Sequence, residues 1–295
     1  MIYLHVDVDN LWVYEQEFGI DIYKDQEYIY SKSLPVFLEL LKKTGSKATF
    51  MIVGQDLKLP ACQVFCKKAI SAGHEIANHT WNHPISFATY PYEQKKKQIV
   101  KTHKRIAKVC GKEPVGFRGP GYYQDKEIIT ILRELNYKYD ASVLPGIAHL
   151  LMSAYAFMKA GENRYKTFGR MDYILSPEHP YPIKELGSSQ DLLELPISIL
   201  PFLRFPIHTT FAYFFGSWYR QLILRYLKGR PKYLLYLVHA IDFVDLPQRS
   251  NHPVIPLRYP LEQRISFIKS ILDVLVKING GGLQTSREGI KTIHH

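Results

Sequence analysis

Short runs rich in β-branched and aromatic residues alternate along the chain with stretches whose apolar positions recur every three or four residues. That order builds parallel βα units. The first strand is predicted at 2–8. Residues 30–43 set Leu34, Phe37, Leu38 and Leu41 on one helix face, and Gly45 ends the helix. A second strand at 48–53 precedes a helix at 60–71, opened by Pro60 and closed by Gly73. A third strand at 75–78, a long basic helix from Pro91 to near Gly111, a strand at 115–117, a helix at 125–135 and a strand at 138–141 continue the pattern. Between about 144 and 187 the alternation fails, and an irregular insertion of loops with one helix is expected. It resumes with a strand at 191–195, an aromatic helical region at 210–227, a strand at 233–239 and an amphipathic helix at 261–277. No internal repeat or composition break divides residues 1–295, so one large α/β domain is expected.

Composition narrows the classes. With 46% hydrophobic and 22% charged residues in 295, the chain has material for a packed core, which excludes disorder as its main state. The net charge of +11 points to an anionic partner: a phosphorylated small molecule, an acidic membrane surface or nucleic acid. The basic residues are scattered and no helix-turn-helix, zinc-finger or RNA-binding motif is present, so nucleic acid is not expected. Nor does any feature imply a protein partner. Cys62, Cys66 and Cys110 are odd in number and lack CxxC spacing, which fits a reducing compartment rather than a disulfide framework. Acidic residues arrive before any basic and apolar leader, so a cytoplasmic location is expected. Two nearly charge-free stretches, 141–158 and 195–219, are interrupted by Pro145 and Gly146, and by Pro196, Pro201, Arg204, Pro206 and His208. Neither reads as a membrane span.

Candidate chemistry collects where predicted strands end, the edge at which barrel enzymes build their sites. Asp7 and Asp9, two apart, leave the same face of a strand and can converge on one point. A divalent cation would let both stay ionised. His79 and His83 are four apart, a spacing that puts both imidazoles on one face if the intervening residues make a helical turn. One carboxylate with two imidazoles is a facial ligand set that leaves positions for water and substrate, and the other carboxylate is then free to act as a base. Arg118 follows a strand into Gly119-Pro120-Gly121, where a guanidinium can hold a neighbouring aspartate ionised. His239 ends the apolar run 233–238 and can exchange a proton near neutral pH.

Asp7-Val8-Asp9, His79-Thr80-Trp81-Asn82-His83, Arg118-Gly119-Pro120 and Val238-His239-Ala240 resemble, in order and spacing, the motifs of the polysaccharide deacetylase family (NodB homology), over residues 1 to about 285. The resemblance implies a distorted (β/α) barrel forming a single catalytic domain. It implies Asp7 as catalytic base, Asp9, His79 and His83 as ligands of one divalent metal, Arg118 as the residue that positions the base, and His239 as general acid. Pro120 and Tyr122 of the Arg118 loop are assigned to substrate contact. Zinc is the expected ion, with cobalt, nickel, manganese and iron as alternatives. Where the commonest family form has two adjacent aspartates and a glycine, this chain has Val8 between them and Asn10 after. That variant resembles the branches that are intracellular or act on lipid-linked sugars. The family's Asp-Trp element is not recognisable, and Asp140 and Asp242 are candidates for a supporting role.

The activity so implied is removal of an acetyl or formyl group from an amino sugar, lipid- or phosphate-linked, at the cytoplasmic face of a membrane. Between 201 and 232, Phe202, Phe205, Phe211, Tyr213, Phe214, Phe215, Trp218, Tyr219 and Tyr226 interleave with Arg204, Arg220, Arg225, Lys228 and Arg230. Rings with cations are the composition of an interfacial element, so peripheral contact with an anionic membrane is expected there. The alternatives are a metal-dependent phosphoester hydrolase and a catalytically silent glycan-binding protein on the same scaffold.

Overall fold

The structure, a computed structural model, describes residues 1–22, 25–84, 86–152, 154, 169–184, 192–246 and 250–293. Strand β1, Ile2–Val8, is buried along its whole length. An apolar run without polar alternation is what a strand covered on both faces requires. Strand β2 is Thr49–Ile52, β3 is Glu75–Asn78, β4 is Gly116–Phe117, β5 is Tyr139–Asp140, β6 is Tyr181–Pro182, β7 is Leu193–Glu194 and β8 is Leu234–His239. They are hydrogen-bonded in the order β6-β7-β5-β4-β3-β2-β1-β8. Chain contacts group into two compact units: residues 1–50, 56–76 and 207–295, and residues 51–55 and 77–206.

In the first unit β1 and β8 run parallel, in a register that sets Asp7 beside His239. Directly after β1 the chain turns into helix α1, Leu11–Phe18, which the apolar spacing does not announce because the helix is only eight residues long. Asn10 makes that turn: its Oδ1 accepts from Leu11 N at 2.7 Å, and Gly19, at φ 65°, closes the helix. Helix α2, Leu34–Lys43, follows a wide π turn at Ile29–Ser33, and its Phe37 stacks on Phe243 with ring centroids 4.4 Å apart. Helix α3 is Pro60–Ser71.

In the second unit β4, β5 and β7 are parallel and β6 pairs antiparallel with β7. Helices α4, Tyr92–Cys110, and α5, Lys126–Glu134, cover them around a core of Phe87, Ile99, Phe117, Ile128 and Leu132. Lys95 of α4 is buried but paired, its Nζ 2.5 Å from Asp125 and 2.6 Å from Glu127. Of the expected insertion at 144–187, residues 153, 155–168 and 185–187 lie outside the described residues. The described part contains a short turn at Met171–Leu175 and β6, which the sequence reading did not foresee. The strand expected at 191–195 is the two-residue β7.

The aromatic helical region divides at Gly216, at φ 81°, into α6, Thr209–Phe215, and α7, Ser217–Lys228. The division corrects the expectation for its rings. Phe211, Tyr213 and Tyr219 are buried, because they face inward on their helices, whereas Phe202, Phe214 and Trp218 are exposed. The final long helix, α8, is Leu261–Asn279. Among the described residues no helix is long and apolar enough to cross a membrane.

Candidate active site

Asp7 is the next-to-last residue of β1 and Asp9 sits in the turn to α1; both are buried. Asn10 supplies the helix cap, so neither aspartate is consumed by that role. His239 ends β8, and its Nε2 lies 3.9 Å from Asp7 Oδ2. The chain after His239 is tied back on itself. His239 N donates to Asp242 Oδ2 at 3.0 Å, and the Thr209 hydroxyl donates to the same oxygen at 2.6 Å. Thr210 Oγ1 stands 3.4 Å from His239 Nδ1. Burial pushes the Asp242 carboxyl above its ordinary range, while the His239 charge and the bonds from Thr209 and His239 N draw it back. Arg264, 1% exposed, clamps the same segment. Its guanidinium donates to the carbonyls of Ile241 and Asp242 at 2.9 Å each, Val244 at 2.7 Å and Tyr259 at 3.1 Å.

His79 follows β3. Its ring Nδ1 lies 2.7 Å from Arg118 O, a carbonyl that can only accept, so Nδ1 carries the proton and Nε2 offers the lone pair. The turn between the two histidines is not helical, which corrects the expectation drawn from their spacing. Thr80 and His83 have φ of 63° and 44°. These are left-handed conformations that non-glycine residues adopt only when surroundings enforce them, at about 1–3 kcal/mol each. The enforcement is visible: Thr80 N donates to Asn78 Oδ1 at 2.9 Å, and Trp81 N and Asn82 N donate to Gln98 Oε1 at 2.9 and 3.2 Å. The rings of His79 and His83 nevertheless meet, 4.9 Å apart and at 62°. One potential ligand atom from each of Asp9, His79 and His83 lies within 4.8 Å of the other two, and all three residues are buried. A carboxylate and two imidazoles, one held in a fixed tautomer by a backbone carbonyl, fit a divalent transition ion.

Arg118 follows β4 and is fully buried, with Nε donating to Ala141 O at 2.8 Å. Gly119 is required where it stands, because an added Cβ would meet Tyr123 O at 2.1 Å. Pro120 and Tyr122 form the next short turn, both buried, Tyr122 at φ 58°. Of the two supporting candidates, Asp242 belongs to the His239 segment. Asp140 stands near Arg118, whose charge helps hold its carboxyl down against burial. The sequence reading passed over Thr209, Arg264 and Glu194. Glu194 had a signal: an acid inside the apolar run Leu192-Leu193-Glu194-Leu195, where a strand covered on both faces does not tolerate an unpartnered charge.

A model of the polysaccharide deacetylase family matches residues 22–139. A peptidoglycan-N-acetylglucosamine deacetylase of Bacillus cereus is 30% identical over 104 residues, 35% of this chain and 47% of that protein. The chain therefore spans less than half the length of that curated relative. A crystal structure from Mycobacterium smegmatis, named for the polysaccharide deacetylases, superimposes with a TM-score of 0.59 at 17% identity, covering 98% of this chain and 87% of that one. A CE4 family pseudoenzyme from Bacillus anthracis does so with a TM-score of 0.51 at 14% identity, covering 98% and 64%. These structural likenesses establish the fold, the distorted (β/α) barrel type. By its motif order and these matches, over residues 22–139 above all, the chain is similar to the polysaccharide deacetylase (NodB homology) family.

Proposed function

We propose that this chain is a metal-dependent hydrolase that removes an N-acyl group, acetyl or formyl, from an amino sugar. The observation that carries the reading is the Asp9, His79 and His83 donor set. Bound there, a divalent ion, zinc in the first place, would supply Lewis acidity to the amide carbonyl and to an attacking water. Asp7 takes the proton of that water, being the carboxylate of the pair left outside the donor set. His239 Nε2, 3.9 Å from Asp7 Oδ2, is placed to deliver a proton to the departing amine. Asp242 and Thr209 keep the His239 backbone in place through their shared oxygen. Arg118 takes the family's role of keeping the base ionised, and Pro120 and Tyr122 shape the sugar's surroundings.

The substrate we favour is an amino sugar on a lipid- or phosphate-linked carrier, reached at the cytoplasmic face of a membrane. Charge and surface support this choice over the wall glycan for which the Bacillus cereus relative is named. Between Glu194 and Asp242 there is no carboxylate, while Arg204, Arg220, Arg225, Lys228, Arg230 and Lys232 fall in that span. On α7 and just beyond it Arg225, Lys228 and Arg230 are exposed, and Phe214 and Trp218 are 52% and 59% exposed. Exposed rings beside uncompensated cations suit the headgroup layer of an anionic membrane.

Purified protein incubated with acetylated amino-sugar oligomers and with lipid-linked glycans tests the reaction: release of acetate or formate is expected, greatest from the lipid-linked substrate. Release of inorganic phosphate instead would establish the phosphoester reading, and no release from either substrate would leave a silent glycan-binding protein. Co-sedimentation with phosphatidylglycerol vesicles at low salt tests the surface separately. Binding is expected to be lost in a Phe214→Ser, Trp218→Ser double variant, and equal binding by that variant would refute the contact.

A further inference from the structure

A second group of buried charges lies in the unit that carries Arg118. Asp140 on β5 and Glu194 on β7 are direct partners in the parallel ladder, and Tyr181 on β6 partners Glu194 from the other side. Partnered positions on neighbouring strands send their side chains to the same face. Both residues are 0% exposed, and two carboxylates side by side away from bulk solvent do not readily both ionise.

Hydrogen-bond donors are distributed unequally over the four oxygens. Asp140 Oδ1 accepts from the Ser142 hydroxyl at 2.5 Å, and Ser142 Oγ in turn accepts from Gly119 N at 2.8 Å. Glu194 Oε1 accepts from Val143 N at 2.9 Å, and Gln124 Nε2 lies 3.4 Å from Oε2. Asp140 Oδ2 receives no N–H and no hydroxyl among the described residues. The group that its ladder partner presents on the same face is the Glu194 carboxyl. A proton on the neighbouring carboxyl would satisfy that oxygen.

We propose that Asp140 and Glu194 hold one proton between them, borne by Glu194 toward Asp140 Oδ2, and that Glu194 is in this way a positioning residue for the Arg118–Gly119 loop. The single negative charge falls on Asp140, whose Oδ1 accepts from the Ser142 hydroxyl at 2.5 Å and which the Arg118 charge favours. Burial pushes both carboxyls up, Glu194 well beyond the carboxylate range. Asp140 is drawn back by Ser142 and by the Arg118 charge; Glu194 is pushed further by Asp140. The other titratable groups near the pair are Tyr173 and Tyr181, both raised chiefly by burial and so protonated phenols. The cluster then pairs one cation, Arg118, with one carboxylate, and the same network fixes Gly119 N through Ser142. Loss of the shared proton would set a second anion beside Asp140 and disturb the guanidinium that the proposed reaction needs.

The catalytic consequence rests on the role proposed for Arg118, but the proton itself is observable without turnover. Infrared difference spectra of the full-length protein with carboxyl-labelled glutamate, wild type against Glu194→Gln at neutral pH, are expected to show a protonated carboxyl band that the variant lacks. Absence of that band in the wild type overturns the proposal. In kinetics Glu194→Gln, which keeps the shape and a donor, is expected to retain kcat/KM within about threefold and to move its alkaline limb to higher pH. Glu194→Ala leaves Val143 N and Asp140 Oδ2 unpaired and is expected to lose about tenfold or more. A folded Glu194→Gln protein without activity, or one with an unmoved alkaline limb, would mean that Glu194 does not act through its proton.

Discussion

Replacing Arg264 by methionine removes the clamp behind His239 while keeping most of the side-chain volume. The arginine satisfies four carbonyls, those of Ile241, Asp242, Val244 and Tyr259, at 2.7–3.1 Å from a site 1% exposed. A buried acceptor left unmade costs about 1–3 kcal/mol, so four at the low end amount to roughly 4 kcal/mol. Relief from burying a cation offsets part of this, since burial itself disfavours the charged guanidinium here. A net loss of about 3 kcal/mol is expected, which at a typical urea dependence moves the unfolding midpoint down by about 1–2 M. Arg264→Lys, with a compact head that cannot span four carbonyls, should fall between. Equilibrium urea unfolding followed by tryptophan fluorescence measures the shift. Because the clamped segment carries Asp242, whose Oδ2 accepts from His239 N, kcat should also fall by about tenfold. A midpoint within about 0.3 M of wild type, against the shift expected from the urea dependence, would refute the reasoning.

Other predictions concern single groups. His74 is lowered to about 4 by burial, with the Lys47 charge second, and its Nδ1 accepts from Ala48 N at 3.1 Å, so the folded state holds it neutral. As pH falls from the ordinary histidine value of 6.5 to about 4, the unfolded chain takes the proton first. Stability should therefore decline through that window. His74→Gln should flatten that part of a stability-against-pH curve from chemical denaturation; an unchanged slope contradicts the assignment. Gly119→Ala forces a Cβ to 2.1 Å from Tyr123 O. A backbone shift should follow, with a loss of about 1–3 kcal/mol in thermal unfolding and a drop in kcat larger than any change in KM. Wild-type kcat in a folded Gly119→Ala protein would show that the loop does not set Arg118.

Local signals carried much of the candidate site. An aspartate near the end of an apolar strand with a second one two residues on, and a histidine ending another strand, are visible in the local pattern, and β1 and β8 put Asp7 beside His239. The pairing of His79 with His83 was legible in the spacing but not its cause. Their meeting depends on left-handed Thr80 and His83, enforced by Asn78 and by Gln98 from another element, and no local pattern encodes that. Helix α1 was missed because eight residues with three buried apolar side chains make too short a period to recognise. Arg264 reads as the polar face of an amphipathic helix until the carbonyls after His239 arrive from across the fold. The strands at 115–117, 138–141 and 191–195 were located correctly, though the regular part of each is only two residues long and backbone hydrogen bonds continue the pairing beyond it.

The central claim is that Asp9, His79 and His83 hold one catalytic ion while Asp7 stays outside the donor set. Metal content by mass spectrometry, measured beside turnover on metal-replete, dialysed wild type, His79→Ala and Asp7→Asn, tests it most directly. The account predicts about one ion per wild-type chain, loss of that ion in His79→Ala, and retention in Asp7→Asn with turnover reduced by about a hundredfold or more. Equal metal content in wild type and His79→Ala, or full activity in Asp7→Asn, would contradict it.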